Sequence, residues 1–396
     1  MTTIHGHCDP RFEKIERAFK ENFEHHQELG ASVCVTLAGT KVVDLWGGIA
    51  DDTQGTPWQE NTKTVVFSCT KAATALCVHI LISRGEIKLD EPVAKYWPEF
   101  AQAGKQNITV RMLLNHQAGV PAVDRPLSDE CYGDWNEVVG ALEKQMPYWE
   151  PGTRSGYHLL SFGWLNGELV RRVSGRSLGT FFREEIAEPL GLDFWIGLPE
   201  ALDQEVATVI PAPPDPNNDF FKALRDTDSI QSHGLLHFGN YMSTGAGFNS
   251  TIAHRAEIGG AGGITNARGL AGMYAPLANG GGINGAEIVN EGTLAQMSRT
   301  SSATGIDAML LMPTRFALGF MKNIDNRNQP LGKQSSAVLS DTAFGHVGAG
   351  GSVGFADPAM KVSFGYSMNK MGPGLLLNER GQTLVDATNQ ALDALK

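Results

Sequence analysis

Basic residues are in the minority in this sequence. Its 396 residues include 32 Lys and Arg against 43 Asp and Glu, which gives a formal net charge of −11. A phosphate backbone needs a basic stripe to bind to, and no such stripe is visible. Long hydrophobic runs are missing as well, since the longest, at 72–82, is too short for a bilayer and is interrupted by His79. We therefore expect neither a nucleic-acid partner nor a membrane partner.

Cysteine is scarce and shows no pairing pattern. The five cysteines are odd in number and include no C-x-x-C pair, so free thiols are expected rather than a disulfide framework. The first ten residues have neither a basic start nor an apolar core, and we expect no secretory signal. Together these features predict a cytoplasmic protein.

Metal-ligand spacing is also missing. His5, His7 and Cys8, or the pair His25 and His26, lack the spacing of a zinc site and are read as surface residues. We expect no metal and no other cofactor. A homodimer is left open as an assembly.

The hydrophobic periodicity predicts an α+β protein. Two strands at 31–39 and 41–48 read as a hairpin, and strand patterns return near 315–321, 351–356 and 361–368. Helices are expected at 11–26, 70–84, 110–115, 136–144, 160–173, 178–186, 265–278 (capped by Thr265) and 379–395. We therefore predict an α/β sandwich domain, an antiparallel sheet with helices, from residues 1–88 and 251–396, and a mostly helical region at 89–250.

Residues 203–250 have no clear period and contain a Pro-Ala-Pro-Pro-Asp-Pro run. Loops of this length are often functional. A solvated connection and a lid or pocket wall are equally compatible with the pattern. Together with the aromatic residues Tyr132, Trp135, Tyr148 and Trp149, this stretch is expected to shape the substrate pockets.

The tetrapeptide Ser68-Cys-Thr-Lys71 stands at the start of the helix predicted from residue 70. Residues three apart share a helix face, so the Ser68 hydroxyl and the Lys71 amine would lie side by side. An amine held partly out of water can take the serine proton, and unpaired N–H groups at a helix start favour negative charge. Ser68 is thus a candidate nucleophile.

Three other residues, Ser367, Ser352 and Cys69, are alternative candidates for the nucleophile. Ser367-x-x-Lys370 repeats the spacing but lies in a strand pattern, where the two side chains point to opposite faces. Ser352 lies in Gly-x-Ser-x-Gly, the nucleophile elbow, but it begins a strand pattern and no histidine follows His346. Cys69 is read as a small buried residue behind the serine.

Two further segments support Ser68. A Pro/Gly turn delivers Tyr157 just before a helix, and a phenol there could exchange protons with nucleophile and leaving group once the charge of the lysine lowers its pKa. A glycine-rich strand, His346-Val-Gly-Ala349-Gly350, could bring a backbone N–H beside that of Ser68 to bind an oxyanion.

With Ser68-x-x-Lys71, Tyr157 and His346-Val-Gly348 in this order, the chain resembles the serine β-lactamase-like superfamily. It is most similar to the family VIII carboxylesterases, which are themselves similar to class C β-lactamases and D,D-peptidases. Further landmarks are 113–121, 150–154, 173–175, 186–192 and 260–265, so the likeness extends over nearly the whole chain.

The resemblance implies an antiparallel sheet of roughly five or more strands between helices, with the site in the groove beside a helical region. It implies Ser68 as acylated nucleophile, Lys71 as its activator, and Tyr157 as base for acylation and acid for the leaving group. The N–H groups of Ser68 and Ala349 would form the oxyanion hole, with His346, Gly348 and Gly350 beside the substrate.

Two departures from the lactamase pattern bear on the substrate. Leu159 stands where those enzymes carry the Asn of Tyr-x-Asn, and His346 stands where they carry the Lys of Lys-Thr-Gly. A histidine binds a substrate carboxylate less well than a lysine. We therefore expect a carboxylesterase acting on short acyl esters, with weak β-lactam hydrolysis as a side activity. An amidase or D-aminopeptidase, a β-lactamase, an acyltransferase, or a catalytically silent binding protein are the alternatives.

Overall fold

The computed structural model describes residues 2–242 and 247–395. Its α-helices are α1 (Glu13–His25), α2 (Thr70–Ser83), α3 (Val110–Leu114), α4 (Trp135–Lys144), α5 (Ser161–Ser174), α6 (Leu178–Phe182), α7 (Asp219–Ala223), α8 (Ile230–Leu236), α9 (Thr251–Arg255), α10 (Ala267–Ala278), α11 (Glu291–Met297) and α12 (Glu379–Asp393). Its strands are β1 (Ile4–Cys8), β2 (Gly30–Leu37), β3 (Thr40–Asp51), β4 (Thr56–Pro57), β5 (Thr64–Val65), β6 (Phe194–Ile196), β7 (Gly263–Thr265), β8 (Gly282–Ile283), β9 (Ala286–Glu287), β10 (Ser302–Thr304), β11 (Thr314–Phe316), β12 (Phe344–Val347), β13 (Val353–Asp357) and β14 (Val362–Met368).

The main sheet is antiparallel and draws its strands from both ends of the chain. Its order is β1-β3-β2-β14-β13-β12, and β4 pairs with β3 at the edge. The strand β14 connects the two halves through its register with β2, in which Gly365 lies opposite Cys34. Three short strands in the order β5-β7-β6 form a second sheet. The predicted α+β class with an antiparallel sheet is confirmed.

The two faces of the main sheet carry different side chains. On one face, large residues such as Val35 and Phe364 pack against apolar residues of α1 and α12. On the other face, the small residues Cys34 and Gly365 lie under α10. A Cβ added to Gly365 would lie 2.2 Å from the carbonyl oxygen of Ala267, so glycine is needed for this close approach. The helices thus cover both faces of the sheet.

The helix α2 is buried on almost every side. All residues from Thr70 to Leu81 are buried, which is typical of a helix in the centre of a core rather than at a surface. It packs against α5, α6 and α11, so it joins the sheet to the helical region. The nucleophile candidate therefore precedes a rigid, fully packed element.

Most predicted elements are present, with three local differences. The cap of α10 is Asn266, whose side chain accepts from the Gly269 N–H, and not Thr265. The strand predicted at 315–321 is limited to β11, because the chain turns back at 317–320. The helix predicted at 178–186 is α6 followed by one π-helical turn, Arg183–Ala187.

The described residues of the 203–250 stretch begin and end beside the same point of the fold. Asn249 closes it by accepting a hydrogen bond from the Val209 N–H at 2.9 Å and donating to the Val209 carbonyl at 2.9 Å. Between these points lie α7 and α8. None of the helices in the described ranges is long and apolar enough to cross a membrane.

Candidate active site

Ser68 lies in the turn between β5 and α2. The residue before it, Phe67, has φ +44°, a left-handed conformation that is strained for an aromatic residue. The surroundings hold this conformation in place. Phe67 makes a β-bridge with Gly262, and its carbonyl accepts from Thr70 Oγ1 at 2.5 Å. The turn presents the half-buried Ser68 side chain at the end of a rigid helix.

The Lys71 amine is fully buried and faces Ser68. Its Nζ lies 3.1 Å from Ser68 Oγ and donates to the carbonyl oxygens of Leu159 at 2.6 Å and Gly260 at 2.7 Å. No carboxylate contacts it among the described residues. Burial lowers the pKa of Lys71 well below its ordinary value. Two donor directions are therefore satisfied by carbonyls, and the third points at the serine.

Tyr157 is buried beside this pair. The Lys71 Nζ lies 4.7 Å from the centre of its ring, and Phe316 stacks on the ring at 5.6 Å between centroids. Burial raises the pKa of Tyr157, with the Ser68 hydroxyl opposing the rise. We expected the lysine charge to lower the pKa of this phenol. That direction is wrong, because burial disfavours the charged phenolate and also disfavours the charged form of the amine.

His346 lies behind Tyr157 and does not line the cavity described below. Its side chain is 2% exposed. Its Nδ1 lies 2.7 Å from the Val347 carbonyl, which assigns the proton to that nitrogen, and its Nε2 lies 3.5 Å from Tyr157 Oη. Burial, with a smaller contribution from Lys71, lowers the pKa of His346 to about 3. The ring is a neutral acceptor for the phenol, so the direct substrate contact expected of it has no geometric support.

The glycine-rich end of β12 packs against the turn that carries Ser68. A Cβ added to Gly348 would lie 2.3 Å from the Val66 carbonyl oxygen, so only glycine allows this approach. Neither the Ser68 nor the Ala349 backbone N–H donates to another residue in the described ranges. Two donors without partners next to the serine are what an oxyanion hole requires.

A cavity of about 450 Å³ opens over Ser68. Tyr157, Ala349 and Gly350 line this cavity. Its other described lining residues are apolar or small, and none of them has an acidic, basic or histidine side chain. The 203–250 stretch supplies a large share of the wall: Pro211, Pro213, Pro214, Phe220, Phe221, Leu224, Leu235, Leu236, Met242 and Phe248. This stretch is a pocket wall and not a solvated connection.

The four aromatic residues expected in the pockets lie elsewhere. Tyr132 donates to Asn240 in the helical region, and Trp135 donates to the buried Glu168. Tyr148 contacts His233, and Trp149 packs against Gly156. None of the four lines the cavity. That expectation was wrong, because proximity in sequence to Tyr157 does not fix which side of the chain faces Ser68.

The rival nucleophiles are unsuited by position. Ser352 is fully buried in the turn between β12 and β13, with no strand-to-helix elbow. Ser367 Oγ pairs with Ser32 Oγ at 3.0 Å inside β14. The Cys69 thiol donates to the His346 carbonyl at 3.4 Å, and burial raises its pKa. These serines and this thiol are structural residues.

Metal ligation has no support in the part of the chain that the structure describes. No group of three or more His, Cys, Asp or Glu residues there could hold a metal ion. His5 stacks on Trp46 instead.

Comparisons with known proteins agree with this architecture. The Beta-lactamase family model matches residues 14–388. The esterase/beta-lactamase LipL of Mycobacterium tuberculosis (strain ATCC 25618 / H37Rv) is 34% identical over 384 residues, which is 95% of this chain and 85% of that protein. A crystal structure of a family VIII carboxylesterase superimposes with a TM-score of 0.88 at 36% identity, covering 98% of this chain and 100% of that one. A penicillin-binding protein homologue from Caulobacter crescentus gives 0.86 at 34% identity, with the same coverage. The chain belongs to the Beta-lactamase family, and within it resembles the family VIII carboxylesterases.

Proposed function

We propose that this protein is a serine carboxylesterase that cleaves neutral esters through an acyl-enzyme on Ser68. One observation carries the proposal. The buried Lys71 amine donates to two backbone carbonyls, and its third hydrogen-bonding direction faces Ser68 Oγ at 3.1 Å. An apolar cavity opens over this serine. The similar proteins named above, an esterase/beta-lactamase and a carboxylesterase, support the same reaction class.

Lys71 is the proton acceptor in this proposal. With a lowered pKa it is readily neutral, and its lone pair then faces the Ser68 hydroxyl. The amine takes the hydroxyl proton as Ser68 Oγ forms a bond with the ester carbonyl carbon. The negative charge moves to the carbonyl oxygen, where the N–H groups of Ser68 and Ala349 stabilise it. The resemblance implied Tyr157 as the base, but a phenol with a raised pKa keeps its own proton and so cannot take that of Ser68.

Tyr157 is instead the proton donor to the leaving group. The tetrahedral intermediate collapses, the bond to the alcohol oxygen breaks, and that oxygen takes the phenol proton. The proton that Lys71 gained in the first step then passes to the Tyr157 phenolate, so the amine is neutral again and the phenol is restored. A water molecule then attacks the acyl carbonyl carbon while Lys71 takes one of its protons. The bond between that carbon and Ser68 Oγ breaks, Ser68 Oγ takes the proton back from Lys71, and the carboxylic acid leaves.

The cavity favours neutral substrates. Its described lining contains no cation to pair with a substrate carboxylate, and an unpaired buried charge is costly. Leu159, at the position of the lactamase asparagine, contributes an apolar side chain to the lining. Short acyl esters are the first substrates we propose, and anionic β-lactams are expected to be poor ones.

The test is hydrolysis of p-nitrophenyl butyrate by the wild type, Ser68→Ala and Ser352→Ala. Removing the nucleophile should lower kcat by a factor of about a thousand or more. Ser352→Ala is the matched control, because it also removes one serine hydroxyl from the same part of the fold. Equal activity of wild type and Ser68→Ala, with loss in Ser352→Ala, would refute the assignment.

Matched esters and amides with the same acyl group separate the esterase from an amidase or aminopeptidase. Faster cleavage of the amide would contradict the proposal, and transfer of the acyl group to an added alcohol in preference to water would indicate an acyltransferase. A serine-reactive phosphonate distinguishes a silent binding protein, since only a competent Ser68 gives a covalent adduct by mass spectrometry.

A further inference from the structure

The turn that carries Ala349 is fixed by hydrogen bonds on both sides of that residue. The Gly348 N–H donates to the Ser352 carbonyl at 2.7 Å, and the Gly351 N–H donates to the Gly348 carbonyl at 3.0 Å. The carbonyl of Gly350 accepts its hydrogen bonds from residues outside the turn. Its partners lie outside the strand pair β12 and β13.

Two donors hold the Gly350 carbonyl. One is the Gly372 N–H at 2.9 Å. The other is Asn378 Nδ2 at 2.7 Å. The Asn378 amide is packed tightly here, because a Cβ added to Gly351 would lie 2.4 Å from Nδ2 and a Cβ added to Gly372 only 2.2 Å from it. Two glycines thus make room for one side-chain amide beneath the oxyanion turn.

Asn378 is also the N-cap of α12. Its Oδ1 accepts from the Gly381 N–H at 3.3 Å. The helix is long and anchored to the sheet through buried residues such as Leu384 and Leu392, and Arg380 donates to the Lys370 carbonyl at 2.6 Å. One end of the amide is therefore fixed to a rigid helix and the other to the turn.

We propose that Asn378 is a positioning residue for the oxyanion hole, which it serves by tying the Gly350 carbonyl to the N-terminus of α12. The inference rests on the proposed esterase reaction, in which the Ala349 N–H binds the developing oxyanion. A turn held through its carbonyl keeps the Ala349 N–H aimed at one point before the substrate arrives. Preorganised donors of this kind stabilise the transition state more than the ground state.

Asn378→Asp separates the two functions of the side chain. Aspartate caps a helix as well as asparagine does, so α12 keeps its cap, but the carboxylate cannot donate to the Gly350 carbonyl. Asn378→Ser does the same without adding charge. Asn290→Asp is the matched control, since Asn290 caps α11 by accepting from the Thr293 N–H at 2.8 Å and donates to the Ser83 carbonyl at 3.0 Å, away from the cavity.

The measurement is kcat and KM for p-nitrophenyl butyrate, with the affinity of an alkyl boronic acid that mimics the tetrahedral adduct. We expect both Asn378 variants to lose roughly tenfold to a hundredfold in kcat, with KM and melting temperature little changed. Boronate affinity should fall in parallel with kcat. Asn290→Asp should match the wild type in all four quantities.

Unchanged kcat and boronate affinity in both Asn378 variants would overturn the proposal. So would a loss of activity explained wholly by a smaller fraction of active sites in a phosphonate titration, since that marks a folding defect. Failure of the esterase reaction itself looks different, because the wild type would then show no Ser68-dependent turnover for any variant to lose.

Discussion

Three buried bases, Lys71, His116 and His346, lie against Tyr157, and burial disfavours the charged form of each. Burial lowers the pKa of His346 to about 3 and lowers that of Lys71 well below its ordinary value. Only Lys71 contacts Ser68 Oγ. His346 reaches the site through Tyr157 alone, with its Nε2 placed as an acceptor for the phenol. At the level of single residues, proton transfer in the proposed reaction therefore depends on the protonation of one amine.

The pH profile of kcat/KM should report that amine. Above its lowered pKa, Lys71 is neutral and can accept the serine proton. Below it, the ammonium has no lone pair, so kcat/KM for a neutral ester must fall as pH falls. The profile with p-nitrophenyl butyrate should show an acid limb and then a plateau that extends to alkaline pH, because Tyr157 with its raised pKa stays protonated.

His346→Gln is the control for this assignment. Glutamine can still accept from Tyr157 but does not titrate, and His346 is already neutral above a pKa of about 3. We expect the variant to keep the acid limb at the same pH with at most a lower plateau. Disappearance of the limb in His346→Gln would assign it to the histidine and contradict the role given to Lys71.

At the level of elements, the position of the Lys71 amine depends on how closely α5 packs against the segment before β7. A Cβ added to Gly163 in α5 would lie 2.1 Å from the Gly260 backbone nitrogen and 2.6 Å from the Gly259 carbonyl carbon. The carbonyl of Gly260 is one of the two acceptors of Lys71. A methyl group added at residue 163 would therefore displace the Gly260 backbone, whose carbonyl accepts a hydrogen bond from the Lys71 amine.

Gly163→Ala should destabilise the fold and reduce activity, whereas Gly140→Ala should not. Overpacking at Gly163 is expected to cost about 1–3 kcal/mol in the free energy of unfolding and to lower kcat. Gly140 lies in α4 with nothing within 4 Å of an added Cβ, so the same change there should stabilise by roughly 0.5–1 kcal/mol. Urea unfolding and kcat measure both effects. A neutral Gly163→Ala would show that the two backbones separate without cost.

The local elements were predictable to different degrees. The β2–β3 hairpin and α2 follow from period and composition, so their sequences predict them closely. The cap at Asn266 was missed because Thr265 beside it is also a capping residue type, although a weaker one than asparagine. The strand β11 was predicted too long because its apolar residues continue past the turn at Gly319, whose φ is +84°.

The residues of the candidate site also differ in how far the sequence alone predicts them. Ser68, Lys71 and Tyr157 are chemically distinctive at their spacing, and the structure brings them together. Asn378 carries no distinctive pattern, since a capping asparagine looks the same at α11 and α12. The carbonyl partners of Lys71 belong to Leu159 and Gly260, and backbone contacts across 88 and 189 positions leave no mark in side-chain identity. The proposed domain division at 88/89 and 250/251 stays a prediction.

At the level of the whole molecule, the cavity is assembled from parts of the chain that are far apart in sequence. The nucleophile turn, the oxyanion turn and the 203–250 stretch all contribute to its lining. The sequence left a solvated connection and a pocket wall equally open for the proline run, which lies in the cavity wall between Val209 and its partner Asn249. The result is an apolar chamber inside a protein with a net charge of −11, and both features act against anionic substrates.

These two effects can be separated with substrates of equal length. We expect p-nitrophenyl hexanoate to exceed mono-p-nitrophenyl adipate in kcat/KM by roughly a hundredfold or more, because a carboxylate in the chamber would be buried without a partner. Spontaneous hydrolysis is subtracted with Ser68→Ala. Repulsion by the overall charge is screened by salt, whereas the cost of burial is not, so the ratio should persist at high ionic strength.

Leu236→Lys tests where that discrimination originates. Leu236 lines the cavity and is 39% exposed, so a lysine there can keep its ammonium in contact with water while reaching the chamber. The Leu236→Lys variant should have a higher kcat/KM for the adipate monoester and a nearly unchanged kcat/KM for the hexanoate. The ratio of hexanoate to adipate kcat/KM should therefore be smaller than in the wild type. A ratio that collapses with salt in the wild type, or that Leu236→Lys does not alter, would place the discrimination at the protein surface. The absence of a cation from the lining would then not be what selects neutral esters.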